Sequence, residues 1–303
     1  VADLERELLG GERRWTRDEV SQQSGVPHDR ARMLWRALGF ADVDDGVVAF
    51  TDRDIWALRT VQRLGSEGWL DESAQIAMTR ALGQSLARLA EWQVAANASM
   101  VTSEASELVS VVEDLMGYVW RRHLAAVAGR SLALGGAELA MGSMTVGFAD
   151  LVGFTSLTRE IDETGLADLV ETFESAASDI VAESGGRVVK TIGDEVMFAA
   201  DDPSAGAVIG LRLSEEIGAD EDLPPLRVGL ACGTVVSRLG DVYGEPVNVA
   251  ARLTSVARPG SVLVDRNLAE ALGSDERWRL RRVTPRPVRG YAMLQPYRLR
   301  RAE

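Results

Sequence analysis

Two aspartates in the second half of the sequence stand where chemistry could begin. Asp150 closes the apolar run "MTVGFAD", and Asp194 occupies the two-residue turn of "RVVKTIGDEVMF". If the strands they end are neighbours, both carboxylates converge at one end of a sheet. Two carboxylates that close repel unless a divalent cation lies between them. With oxygen donors and no His or Cys nearby, Mg²⁺ or Mn²⁺ is the expected ion. Ordinary turn chemistry is the alternative for an Asp that follows Gly; the pairing with Asp150 argues against it. After Asp150 the segment "LVGFTSLT" enters a helix near Gly153, and the first-turn N–H groups of Gly153, Phe154 and Thr155 offer a cradle for phosphate oxygens. A plain strand–turn–helix junction would read the same way. Four residues before Asp194 lies Lys190, the sole lysine of the chain; the other 32 basic side chains are arginines.

The elements that must position these residues change character halfway along. Up to about residue 130 the sequence reads as helices with apolar residues at i, i+3, i+4 spacing, such as "TDRDIWALRTVQRLGSEG" and "SEASELVSVVEDLMGYVWRRHLAAVAG". Thr51 and Asp71 are expected as N-caps, Gly65 and Gly129 as stops. The one strand-like piece is "GVVAF" at 46–50. A Gly-rich stretch then marks a boundary, giving a helical domain over 1–130, a linker over 131–142 and a second domain over 143–303. In that second domain "MTVGFAD", "GRVVKT", "EVMFAA" and "LRVGLACG" read as strands, with helical stretches after the first and third. The fold class is therefore α+β: an all-α N-terminal domain preceding a C-terminal ferredoxin-like βαββαβ domain. The helix "EPVNVAARLTSVA", the strand "GSVLV", the helix "DRNLAEALG" and an Arg-rich tail with strand periodicity follow.

Composition bounds the function. The chain is 46% hydrophobic and 26% charged, enough for a substantial core. It has no run of 18 apolar residues and a charged start, so neither a membrane span nor a signal peptide is expected. A single Cys232 excludes an intrachain disulfide, in keeping with a reducing, cytoplasmic setting. The net charge is −13, spread over both halves, which excludes the basic footprint of a general nucleic-acid binder. An acidic protein that handles a polyanion needs metal ions and a few local cations.

The segments "VGFADLVGFTSLT", "GGRVVKTIGDEVMF" and "GDVYGEPVNVAARL" together resemble the catalytic signatures of class III nucleotidyl cyclases, in the family's order and spacing over roughly residues 143–295. The resemblance implies an adenylate cyclase that makes 3′,5′-cyclic AMP and pyrophosphate from ATP, with two Mg²⁺ or Mn²⁺ ions per site. Asp150 and Asp194 match the metal-binding aspartates, with the Leu151 carbonyl as a further ligand. Lys190 and Asp241 match the adenine-reading pair. Asn248 and Arg252, on one helix face by their spacing, match the pair that positions the ribose and stabilises the transition state. Arg289, in "PVRGYAML", falls where the family has a basic residue on the terminal phosphates. Metal aspartates and base readers of one site come from opposite subunits in this family, so a homodimer with two shared sites is implied. Cys232-Gly233-Thr234 stands where many relatives carry His, so one phosphate contact is missing or supplied from the tail.

The first half is similar to the helical, autoinhibitory and pH-responsive domains of actinobacterial cyclases. It also resembles a winged helix-turn-helix of the MerR type, with "SGVPHDRAR" opening a recognition helix. On that alternative the chain would be a DNA-binding regulator with a nucleotide-sensing, non-catalytic cyclase-like domain. Ten arginines against twelve acids over residues 1–65 leave no basic face, so nucleic acid is not the expected partner. Only His28 and His123 titrate near neutrality without help.

Overall fold

A computed structural model describes residues 2–96, 105–133, 141–220, 222–238, 240–273, 275–288 and 290–302. The chain divides into two compact units, Val1–Ala128 and Gly129–Glu303.

The N-terminal unit is built from α1 (Ala2–Leu8), α2 (Arg17–Ser24), α3 (His28–Ala37), α4 (Asp52–Ser66), α5 (Glu72–Ala96) and the greater part of α6 (Ala105–Ala133). Its helix starts follow from capping chemistry. Thr16 and Thr51 each form a reciprocal capping box, with Glu19 and Asp54, and Asp71 accepts from the Ala74 amide at 2.8 Å. The expected strand at 46–50 is reduced to one bridge between Trp15 and Phe50. Neither Gly65 nor Gly129 ends a helix, since α4 and α6 run through them. A Cβ at Gly65 would lie 2.4 Å from Nε2 at the far end of the Gln75 side chain. Arg17 is almost fully buried and pairs with Asp42 at 2.7 Å and Asp45 at 2.9 Å. The α2–turn–α3 unit has helix-turn-helix form, yet Arg30 of α3 pairs with Glu72, and Arg32 and Arg36 pair with Asp42. That face carries compensated charge, unlike a surface built for phosphates.

The second unit is a mixed sheet with helices on both faces. In chain order it holds β1 (Met141–Leu151), α7 (Phe154–Leu157), α8 (Glu163–Glu183), β2 (Arg187–Ile192), β3 (Glu195–Ala200), α9 (Pro203–Glu216), β4 (Leu226–Arg238), β5 (Asp241–Tyr243) and α10 (Glu245–Val256). Then come β6 (Ser261–Val264), α11 (Arg266–Leu272), β7 (Trp278–Arg282), β8 (Arg286–Val288), β9 (Tyr291–Leu294) and β10 (Tyr297–Arg301). The sheet order is β2-β3-β1-β4-β6-β10-β7, with β5 beside β4 and a separate β8–β9 hairpin. The β2-β3-β1-β4 portion, with α8 after β1 and α9 after β3, is the βαββαβ arrangement. Among the described residues β4–β6 is the one parallel pairing.

Side-chain alternation divides the core between the two sheet faces. Phe173, Ala177, Ile180 and Val181 of α8 pack with Ile209 and Leu213 of α9 and Leu268 of α11 over one face. Val249, Ala250 and Leu253 of α10 pack over the other, against Val146, Phe148, Met197 and Ala231. Gly229 fixes how closely α10 sits on β4, because a Cβ there would lie 2.3 Å from the Thr254 nitrogen.

Candidate active site

Asp150 and Asp194 are brought together by register. Asp150 stands opposite Glu195 on β3, and the Leu151 amide donates to the Asp194 carbonyl at 3.0 Å. The β2–β3 turn closes because Gly193 takes φ +63°, a conformation that costs glycine little. Three carboxylates thus crowd one end of the sheet. Burial pushes the Glu195 carboxyl up to about 7, reinforced by Asp150 and Asp194 and opposed by Arg227. Burial also raises Asp194, with Asp150 adding to it.

Arg227, a residue that sequence reasoning missed, is the cation in this cluster. It lies directly opposite Asp150 on β4, and its Nε donates to Asp150 Oδ2 at 2.5 Å. The Asp150 side chain is 14% exposed and that of Arg227 37%. Among the described residues no three His, Cys, Asp or Glu side chains form a ready metal-holding group. The donor types nevertheless suit a hard divalent cation: two aspartates, an adjacent backbone carbonyl at Leu151, and crowded negative charge that raises Asp194 and Glu195.

Lys190 and Asp241 meet as a second pair. Lys190 Nζ donates to Asp241 Oδ2 at 2.6 Å. A β-bulge between Val188 and Lys190 leaves Val189 unpaired, and such a bulge re-aims the side chains that follow it. Asp241 opens β5 opposite Arg238, and β5 lies beside β2. Its second oxygen accepts from the Val242 amide at 2.8 Å. Burial works to raise the Asp241 carboxyl, but the hydrogen bonds from Lys190 and Val242 hold it below the usual carboxylate range.

Asn248 and Arg252 lie one turn apart on α10. The buried side of that helix is Pro246, Val249, Ala250, Leu253 and Thr254, which leaves Asn248 exposed and Arg252 half-exposed. Arg252 has no carboxylate partner among the described residues. Among the described residues no hydrogen bond or ion pair joins these two residues to Asp150, Asp194, Lys190 or Asp241. Gly153 takes φ +81° before the four-residue helix α7, whose first turn includes Phe154 and Thr155. Arg289 lies outside the described residues, between β8 and β9. Cys232 is buried; its amide donates to Asp265 at 3.2 Å and its carbonyl accepts from Asn267 at 3.0 Å.

This sheet, with its paired aspartates beside a Lys–Asp pair, is that of a nucleotide cyclase catalytic unit. Residues 138–301 match the adenylate and guanylate cyclase catalytic domain. Over its whole length the chain is 41% identical to an adenylate cyclase of Glutamicibacter nicotianae, covering 83% of that protein. It is 40% identical to an adenylate cyclase of Streptomyces coelicolor, over 99% of this chain and 89% of that one. A pH-sensitive adenylate cyclase of Mycobacterium tuberculosis is 35% identical over 84% of this chain and 69% of its own length. The catalytic core of a rhodopsin-guanylyl cyclase with converted specificity, solved with ATPαS, superposes with a TM-score of 0.50 at 20% identity, covering 54% of this chain and 97% of that one. The chain belongs to the adenylate and guanylate cyclase family, with an N-terminal helical region ahead of the catalytic domain. Cyclases of this family use divalent metal ions. Among the described residues no helix is long and apolar enough to cross a membrane.

Proposed function

We propose that this chain is an adenylate cyclase that converts ATP to 3′,5′-cyclic AMP and pyrophosphate in sites shared between two copies. The observation that carries this reading is the Lys190–Asp241 pair at 2.6 Å. Adenine presents an acceptor at N1 and a donor at N6, which a lysine and an aspartate complement. Guanine presents the reverse, and each mispaired buried group costs about 1–3 kcal/mol. In the absence of nucleotide the two side chains satisfy one another; adenine takes the place of that mutual contact. The relatives named as adenylate cyclases support the same substrate.

The other residues take roles around the triphosphate. Asn248 holds the ribose, and Arg252 places its charged fork against the α-phosphoryl oxygens as negative charge develops there. The Gly153, Phe154 and Thr155 amides and Arg289 hold the phosphates. The ribose 3′-oxygen bonds to the α-phosphorus as the bridge to the β-phosphate breaks; pyrophosphate leaves and the hydroxyl proton passes to solvent. Asp150, Asp194 and the Leu151 carbonyl would hold two Mg²⁺ or Mn²⁺ ions, which when bound supply Lewis acidity toward the 3′-hydroxyl and charge compensation for the triphosphate. The site shared between two copies follows the arrangement that the family resemblance implies.

The helical N-terminal unit regulates this activity in our reading, with pH as the signal. Support comes from the pH-sensitive relative. Removing residues 1–130 should change the pH profile of cyclase activity; an unchanged activity and profile would contradict this regulation. For the catalytic reading, Mn²⁺-dependent formation of cyclic AMP that is lost in Asp150→Ala is expected. Cyclisation that survives in Asp150→Ala would contradict it.

A further inference from the structure

Nine arginines and no acidic residue lie between Arg277 and Arg301, in a chain of net charge −13. The fold concentrates them instead of dispersing them. In the β10–β7 pairing Arg298 stands directly opposite Arg281, and Arg300 opposite Arg279. Alternation along each strand puts all four on one sheet face, with Leu280 and Leu299 on the other in the core. Opposed residues on antiparallel strands have Cβ atoms about 5 Å apart, and every second residue along a strand is about 7 Å further on. The result is a two-by-two grid of guanidinium groups.

No carboxylate among the described residues pairs with that grid. Arg277 pairs with Asp275 and Arg301 with Glu215. Among the described residues Arg258, Arg279, Arg281, Arg298 and Arg300 have no carboxylate partner. Like charges directly opposite one another destabilise a sheet. Burial, and then the charges of Arg300, Arg258 and Arg281, lower the pKa of Arg298. At the end of β10 the arginines border a recess of about 340 Å³, lined by Arg298, Arg300, Arg301, Gly260, Ser261 and Glu215 among others.

We propose that the grid of Arg279, Arg281, Arg298 and Arg300, with Arg258 beside it, is a binding site for a ligand carrying two or more closely spaced phosphoryl groups. Arginine forks match phosphate oxygens bidentately, and several within one phosphate spacing select for a multiply charged ligand. The aromatic side chains of these strands, Tyr297 and Trp278, belong to the core face, so this face offers no platform on which a base could stack. That favours a base-free phosphate cluster over single-stranded nucleic acid. Two sources share the chemistry: free polyphosphate and the headgroups of an anionic lipid surface. The site stands apart from the candidate active site, because β10 and β7 end the sheet opposite to β2 and β3.

The test uses the full chain in EDTA, which withholds metal from the ATP site. Calorimetric titration with sodium tripolyphosphate is run beside flotation with phosphatidylcholine vesicles with and without phosphatidylglycerol. The expected result is saturable binding in one arm, weakened at least tenfold in the double variant Arg281→Gln, Arg300→Gln and unchanged in Arg266→Gln. Tripolyphosphate binding alone assigns the site to a free ligand, and binding to anionic vesicles alone assigns it to a lipid surface. The double variant should also melt no lower than the parent, because it relieves repulsion. Failure of both ligands, equal weakening in Arg266→Gln, undiminished binding in the double variant, a clearly lowered melting temperature, or a preference for single-stranded DNA would each overturn the proposal.

Discussion

Arg227 Nε lies 2.5 Å from Asp150 Oδ2, directly across β1 and β4, so the first candidate metal ligand already has a cation against it. That guanidinium also moderates the raised pKa values of Asp194 and Glu195. It therefore does two opposed things: it stabilises the crowded carboxylates without metal, and it competes with metal for one of them.

Arg227→Met should separate these effects. Without the guanidinium, three carboxylates repel with nothing to offset them, and the metal-free protein should melt at a lower temperature. The same change deepens the negative potential at the site, so Mn²⁺ should bind more tightly, by roughly tenfold, or about 1.4 kcal/mol. Calorimetric Mn²⁺ titration and melting curves with and without Mn²⁺ read both. Weaker Mn²⁺ binding in this variant would mean that Arg227 orients Asp150 for the metal instead of competing with it.

A second prediction concerns two copies. If each site takes Asp150 and Asp194 from one chain and Lys190 and Asp241 from the other, then Asp150→Ala and Lys190→Arg each spoil both sites of their own homodimer. Coexpressed, they form mixed dimers in which one of two sites has every residue intact. Random pairing then restores about a quarter of the parent activity. No recovery in isolated mixed dimers would place both pairs in a site within one chain.

Stability should also carry a pH signature from Asp265. This residue caps α11, accepting from the Leu268 amide at 2.9 Å, and also accepts from Cys232 at 3.2 Å. Burial raises its carboxyl above the ordinary 3.8 despite those hydrogen bonds. A raised folded-state pKa means that stability is fully present below the unfolded value and is lost as pH rises through the folded one. Asp265→Asn keeps an acceptor oxygen without the charge. Its melting temperature should gain on the parent as pH rises from below the ordinary carboxylate pKa toward neutrality. A constant difference across that range would show that the buried charge is not what costs stability.

Much of the catalytic unit could be read in advance because its signals are local. β3 spans Glu195–Ala200 as its apolar run suggests, and α8, α9 and α11 begin at aspartates that accept from their first-turn amides. The Gly-Asp turn, with Gly193 at positive φ, likewise announces the hairpin that presents Asp194. What stayed hidden is non-local. Arg227 faces Asp150 only through antiparallel register, which no spacing along the chain reveals. The resemblance pairs Asp241 with Lys190, but no local signal shows the three-residue strand whose pairing with β4 delivers it there. Gly65 reads as a helix stop, yet α4 runs on to Ser66. The Arg-rich tail gave its strand periodicity, but not the pairing that stacks arginine against arginine.

Whether the Lys190–Asp241 pair selects adenine is read from kcat/KM for ATP and GTP, measured side by side with Mn²⁺ on the parent chain and on Lys190→Arg. Cyclic AMP from ATP is expected, with GTP poorer by at least tenfold. Lys190→Arg should lose roughly 10- to 100-fold on ATP, in line with about 1–3 kcal/mol for a mispaired polar group. Full ATP activity in Lys190→Arg, or a parent enzyme that prefers GTP, would contradict it.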